Sequence, residues 1–378
     1  MRRTTPGVIL VTLLTTLLMT LAATTAFAQG DPKAEERSHV DIVIALDTSN
    51  SMDGLIDSAR QKLWDIVNDL ATAKPTPILR VGVVSFGNDG YTTDGWTRVD
   101  IGLTDDLDAV HEKLMGLKTN GGNEYVGRAI KVAVDDMAWR QDKTTLKMIF
   151  IAGNESADQD PSFRSMDQAA RAINGDIIVN TIFCGGEAGA IPQGWQAVAQ
   201  RADGQFAAIA EDGGAVVVNT PYDKRLQELS SELNGTYVAY GSKGKEKAAR
   251  QVAADNSAQG LSGGAAAGRA AAKSSKLYRN ADWDLLDAQD EGVSLNEIAR
   301  EDLPPEMQKM SEKEREAYLA KLKVRRETIQ KEIGELNTKR QAYVDAENKK
   351  NAGEGDKAFD VAVKKAVRKQ AARKNISF

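Results

Sequence analysis

The sequence predicts a doubly wound, mostly parallel α/β sheet flanked by helices, followed by a helical tail. Three observations carry that prediction. Short apolar runs alternate with amphipathic stretches from residue 38 to about 220, the pattern of strands crossing over through helices. The charge divides near residue 240: residues 29–240 hold 19 Lys+Arg against 32 Asp+Glu, and residues 241–378 hold 28 against 22, which marks two units. From 276 onward almost every stretch has helical spacing and few strand formers.

Composition then narrows the chemistry. A chain of 378 residues suits two or three domains. Its single cysteine rules out an intramolecular disulfide and a cysteine-based zinc cluster. Two histidines, His39 and His111, leave little room for a histidine metal site or a Ser-His-Asp triad. A metal here is therefore held by oxygen, which points to Mg2+, Mn2+ or Ca2+. The acidic first half argues against nucleic acid as its partner.

Residues 1–28 read as an export signal. Arg2 and Arg3 precede an apolar stretch over 8–23, and Ala26-Phe27-Ala28 forms a small-x-small cleavage pattern, so the mature chain begins at Gln29. The mature protein is expected to be extracytoplasmic, periplasmic or secreted. No later segment has 18 consecutive apolar residues, so no integral span is expected after signal removal.

Strands are predicted at 40–46, 79–86, 97–103, 146–152, 176–184 and 205–209. Each is a short run rich in Val, Ile, Leu or Phe. Helices are predicted at 55–70, 107–117, 125–139, 165–173, 195–201 and 221–233, the last with Pro221 in its first turn. Residues 241–275 are dominated by Gly, Ala, Ser and Lys and read as a flexible linker of roughly 30–35 Å. Residues 276–378 form the tail. Its long helix, near 311–350, opens on a capping box of Ser311 and Glu314 behind Pro304-Pro305. Leu322, Ile329, Leu336 and Tyr343 repeat every seven residues, beside a companion row of Leu319, Arg326, Ile333 and Arg340. That seam fits a helix packed in cis or a coiled coil that self-associates.

The strongest local signal is Asp47-Thr48-Ser49-Asn50-Ser51 at the end of the first strand. A carboxylate and two hydroxyls in one turn offer three hard oxygen donors to a small cation. The end of a sheet strand is also where ligands collect in open α/β folds. An ordinary helix cap would use the same residue types.

At these residues the chain resembles the von Willebrand factor A domain and its metal-ion-dependent adhesion site, over roughly 38–236. The resemblance implies a Rossmann-like sheet and a magnesium-type ion whose last place is filled by an acidic group of a protein partner. It also implies a Thr from a second loop and an Asp from a third. The second loop here is Thr119-Asn120-Gly121-Gly122-Asn123-Glu124-Tyr125-Val126-Gly127, and its glycines align Glu124 with the expected Thr. The third is Ile151-Ala152-Gly153-Asn154-Glu155, with Gly153 where the Asp should stand. One loop loses a carboxylate and another gains one. The expected metal set is Asp47, Ser49, Ser51 and Glu124, with Asn123, Asn154 and Glu155 around it.

Three functions follow for weighing. The first is an exported binding protein that uses this site. The second is a metal-independent scaffold that acts through its helical tail. The third is a metal-dependent hydrolase using Asp47 and Glu124, which the absence of a paired nucleophile and base disfavours. Cys184 reads as a buried hydrophobe and Trp195 as core.

Overall fold

The computed structural model describes residues 37–70, 73–209, 218–351 and 354–378, with side chains at 348–362 outside that description. The export signal over 1–28 lies outside the described residues.

Six strands form one sheet: β1 (His39–Asp47), β2 (Ile78–Phe86), β3 (Thr97–Thr104), β4 (Leu146–Gly153), β5 (Ile177–Cys184) and β6 (Phe206–Ile209). Their order is β3-β2-β1-β4-β5-β6, and only the β2–β3 pairing is antiparallel. All of β4 and β5 is buried, and so is β1 after its first residue. Strands covered on both faces read as continuous apolar runs, which is why the sequence shows them clearly.

On one face Val40, Ile42, Ile44 and Leu46 pack under α1 (Ile56–Asp69) and α2 (Leu107–Gly116). On the other, Val43 and Ala45 pack with α3 (Val126–Asp135), α4 (Ser165–Asn174) and α5 (Ala190–Arg201). Helix α3 is shorter than the 125–139 predicted. The chain turns away after Asp136, and Trp139 tucks back with its indole N–H on the Ala133 carbonyl at 2.8 Å. Helix α5 begins earlier than predicted and carries Pro192 near its first turn, where a missing N–H costs nothing.

The tail corrects the sequence reading most. Residues 241–275 are not a linker: they form α7 (Gly244–Leu261) and α8 (Gly263–Ser274), packed against α6 (Asp223–Asn234) and the sheet module. Small residues here serve close approach. Ala267 and Ala270 are fully buried beside Leu226, Leu229 and Leu233 of α6. Ser262, in extended conformation, separates the two helices and caps the second by accepting from the Ala265 N–H at 2.9 Å.

Short helices α9 (Leu285–Asp290) and α10 (Pro305–Gln308) lead to α11 (Glu312–Asn351), whose start carries the bond from the Ser311 N–H to Glu314 at 2.7 Å. The seven-residue row of α11 is occupied in cis. Ile329, Ile333 and Leu336 pack on α6 and α8, Leu319 and Leu322 pack with Leu285 and Leu303, and Tyr343 meets Tyr222 edge-on. The arginines in the companion row are paired rather than solvated: Arg326 with Asp284 and Asp287, each at 2.8 Å, and Arg340 with Asp223, also at 2.8 Å.

The last helix, α12 (Glu354–Ala372), returns to the sheet. Val363, Val367, Ala371 and Ile376 join the α1 face of the core. Its Gln370 exchanges two amide hydrogen bonds with Asn180 of β5, at 3.2 and 2.8 Å, and Arg368 pairs with Asp69 of α1 at 3.1 Å.

Candidate metal centre

Parallel strands β1, β4 and β5 end on one edge of the sheet, so the loops that follow them converge there. Strand β1 delivers Asp47 to that edge, 1% exposed. The turn after it is held by backbone bonds. The Ser49 N–H donates to Asp47 Oδ1 at 2.8 Å, and the Thr48 N–H and hydroxyl both donate to the Phe86 carbonyl, at 2.8 and 2.9 Å. The Thr48 carbonyl accepts from the Asn120 N–H at 2.9 Å, which ties the first loop to the second.

Glu124 comes from that second loop, just ahead of α3, and is 7% exposed. The Ser51 hydroxyl lies 3.2 Å from Glu124 Oε1, 2.9 Å from Asn154 Oδ1 and 2.8 Å from the Ser49 hydroxyl. One hydroxyl carries one proton and cannot donate to all of them. Asn154 also donates from Nδ2 to the Ser51 carbonyl at 2.9 Å, so the third loop is latched to the first. The structure thus brings Asp47, Ser49, Ser51, Glu124 and Asn154 together. The Glu155 side chain adds its charge to Glu124. Asn123 is exposed, and its carbonyl accepts from the Tyr125 N–H at 3.2 Å. Thr119, which stands five residues before Glu124, is bonded to Asp53 instead.

The Asp47 and Glu124 carboxyl groups act on each other at close range. Asp47 Oδ2 and Glu124 Oε2 are both buried and have no hydrogen-bond partner. Burial raises the Asp47 carboxyl well above the ordinary carboxylate range, and the charge of Glu124 pushes in the same direction. Burial, with Glu155 adding, raises Glu124 too. Among the described residues no group of three or more His, Cys, Asp or Glu is placed to hold a metal. The donor set here is two carboxylates plus hydroxyls. Unpartnered carboxylate oxygens beside two seryl oxygens fit a hard divalent cation.

Two glycines shape this pocket. Gly87 sits at φ +75°, and a Cβ there would lie 2.5 Å from Asp47 Oδ1, so only glycine permits the approach. A Cβ at Gly153 would stand 3.0 Å from the Trp195 ring and 3.1 Å from Asp47 Oδ2. Trp195, whose indole N–H donates to the Glu155 carbonyl at 2.7 Å, fills the space a side chain at 153 would need. A side chain at 153 would require the Trp195 ring and Asp47 to give by a few tenths of an ångström, and Glu124 supplies a carboxylate from the other side. Gly87, Thr48, Asn88, Tyr91 and Trp195 position the site. The sequence placed Thr48 in the motif, signalled Trp195 only as core and gave no sign of Gly87, Asn88 or Tyr91, because their contacts cross between loops: the Tyr91 hydroxyl meets the Thr48 hydroxyl at 3.2 Å, and Asn88 Nδ2 donates to the Lys118 carbonyl at 3.1 Å. Cys184 lies close enough for the Asp47 charge to act on it, yet burial pushes its thiol up to about 12, so it stays neutral.

Fold and site together define a class: an α/β module with an oxygen-lined pocket at its loop edge. The family model for the von Willebrand factor type A domain matches residues 41–232, just over half of the chain, and the chain belongs to that family. Among solved structures it is similar to the conserved hypothetical protein BatB from Bacteroides thetaiotaomicron, with 16% identity and TM-score 0.35, covering 45% of this chain and 90% of that one. It is similar to proximal thread matrix protein 1 from the mussel byssus with a zinc-occupied MIDAS motif, with 14% identity and TM-score 0.37, covering 47% and 43%. The SpRpn10 VWA domain is 16% identical, with TM-score 0.36 and coverage of 46% and 89%. No curated protein matches the chain.

Proposed function

We propose that this protein is a binding module that takes a divalent cation at Asp47, Ser49, Ser51 and Glu124 and offers it to an acidic group of a protein partner. The observation that carries this reading is the pair of buried, unpartnered oxygens, Asp47 Oδ2 and Glu124 Oε2, within one ring of hydroxyls. An unanswered buried carboxylate pair is costly, and a bound cation removes that cost. Mg2+, Mn2+ and Ca2+ suit the donors, and the zinc-occupied relative adds Zn2+ to the ions worth titrating. The Asn154 amide holds Ser51 in place, and Glu155 stands outside the first ring.

Binding is favoured over catalysis by what surrounds the carboxylates. Cys184 is a neutral buried thiol, and the one buried histidine, His111, packs edge-on against Trp64 of α1 with its pKa lowered to about 3 by burial. Neither supplies the positioned nucleophile and base of a hydrolase. The signal-like residues 1–28 support export. Among the described residues no helix is long and apolar enough to cross a membrane.

Calorimetric titration of the full chain with Mg2+ and Mn2+ tests the proposal. Asp47→Ala is expected to abolish binding, and Glu124→Gln to weaken it by at least about tenfold, since ligand-shell changes cost that much. Unchanged affinity in Glu124→Gln sinks the idea that this residue replaces the lost third-loop carboxylate.

A further inference from the structure

The loop edge around the pocket carries its own charge pattern. Asp53, Asp89, Asp94, Asp158 and Glu187 are exposed there, and Glu155 is partly exposed. They sit on the loops after β1, β2, β4 and β5, so they surround the pocket on several sides. The bases on these loops are few. Arg164 is spent on Asp158 at 3.5 Å, and Arg128 on the buried Asp160 at 2.9 Å. Arg128 also already lies over the Tyr125 ring, 5.1 Å from its centroid, which leaves the Trp96 ring to receive an incoming cation. Lys118 is the remaining exposed base on the second loop. Beside the acids, Trp96 and Tyr125 meet edge-on with centroids 5.4 Å apart, both half-buried, and the Trp96 indole N–H donates to Asp89 at 3.1 Å. A guanidinium or ammonium is attracted both to such carboxylates and to an aromatic face. The two unpartnered oxygens of Asp47 and Glu124, each on a side chain more than nine-tenths buried, point to a ligand at the centre of this rim.

A partner carboxylate approaching the cation must cross this acidic rim. Two carboxylates in the pocket already balance a divalent charge, so little net positive potential is left to draw an acidic surface in. We infer that the partner segment is basic around its single metal-seeking acid: a lone Asp or Glu flanked by Lys or Arg that seat on Asp89, Asp94 and Glu187 and against Trp96. The inference rests on the metal-dependent reading above. It adds which partner chemistry that site accepts.

The test uses the full chain with Mg2+ and two labelled peptides, each with one central Asp, one flanked by lysines and the other by glutamates. Fluorescence anisotropy at 50 and 300 mM salt is expected to show the lysine-flanked peptide bound at least about tenfold more tightly at the lower salt, with the gap shrinking at the higher. The combined variant Asp89→Asn, Asp94→Asn, Glu187→Gln should close most of the gap while the Mg2+ titration stays unchanged. Equal affinities, a preference for the glutamate-flanked peptide, a gap that survives the triple variant, or no binding of either peptide at millimolar concentration overturns the inference. The metal-dependent reading fails separately, through the absence of Mg2+ uptake or through peptide binding that EDTA and Asp47→Ala leave intact.

Discussion

The sheet module and the helical tail make different use of buried charge. The module closes on apolar surface, two faces of buried Val, Ile, Leu and Phe under helices, and its buried Asp41 is answered by Arg80 and Arg140. The tail adds a cluster of buried charge to its apolar contacts with the module, such as those of Ala267 and Val367. Arg269 of α8, 1% exposed, reaches Asp108 of α2 and, at 3.0 Å, Asp255 of α7, with its cation over the Tyr278 ring at 5.0 Å. Lys273, fully buried, lies 2.5 Å from Asp255 and 3.1 Å from the Ser230 hydroxyl of α6. Farther along, Arg326 of α11 binds Asp284, Asp287 and the Thr236 carbonyl. Apolar burial tolerates small errors of register, whereas a buried ion pair stabilises one arrangement and penalises the rest. The tail's place is therefore specified by a handful of side chains.

The sharpest way to break this comparison is at Arg269. Arg269→Ala leaves Asp108 and Asp255 buried without their cation, and it is expected to cost about 3–5 kcal/mol. Urea unfolding of the full chain measures it. If the tail relies on charge specificity rather than on net electrostatic attraction, replacing the whole cluster together (Arg269→Met, Lys273→Met, Asp108→Leu, Asp255→Leu) should recover most of that loss. A cost below about 1 kcal/mol for Arg269→Ala would show that the alanine-rich packing of α8 suffices by itself.

The same contrast explains what was legible. Strand positions and the Asp47-Thr48-Ser49-Asn50-Ser51 loop could be read because buried parallel strands leave continuous apolar runs, and because one turn holds a carboxylate and two hydroxyls; the strand order could not. The glycines around Glu124 aligned it with the Thr expected in the second loop, and the structure places its carboxylate 3.2 Å from the Ser51 hydroxyl. The close approach of the Trp195 ring to Gly153 was not legible, since those residues are 42 positions apart and meet only in the fold. Residues 241–275 misled for a physical reason. Gly and Ala have the composition of a flexible chain, but they are also what two helices need in order to approach closely. Arg269 and Lys273, ordinary surface residues by type, gave no sign that they would be buried.

The joint between the two regions also sets a pH response. His111 of α2 is buried against Trp64, and burial, with the charge of Arg269 adding and Asp255 opposing, lowers its pKa from 6.5 to about 3. The unfolded chain takes up this proton first, so stability rises with pH between about 3 and 6.5 and is lost as pH falls through that window. At pH 5 the loss is about 2 kcal/mol relative to neutral pH. Unfolding curves at pH 7 and pH 5 measure it, and in His111→Leu the difference should shrink by about that amount. An unaltered difference would place the acid sensitivity elsewhere, in the carboxylates that pair with the tail.

The smallest expected effect lies where the linker reading failed. Ser262 is the point at which α7 stops and α8 starts, and its hydroxyl accepts from the Ala265 N–H. Ser262→Ala removes that acceptor and should cost about 1 kcal/mol, the usual worth of an N-cap. Ser262→Gly should cost only a few tenths, because glycine leaves the first turn open to water. Urea midpoints of the two variants, compared at equal slope, check this order. If residues 241–275 were an unstructured tether, neither substitution would move the midpoint. A graded loss, alanine more than glycine, is what a capped and packed α8 requires.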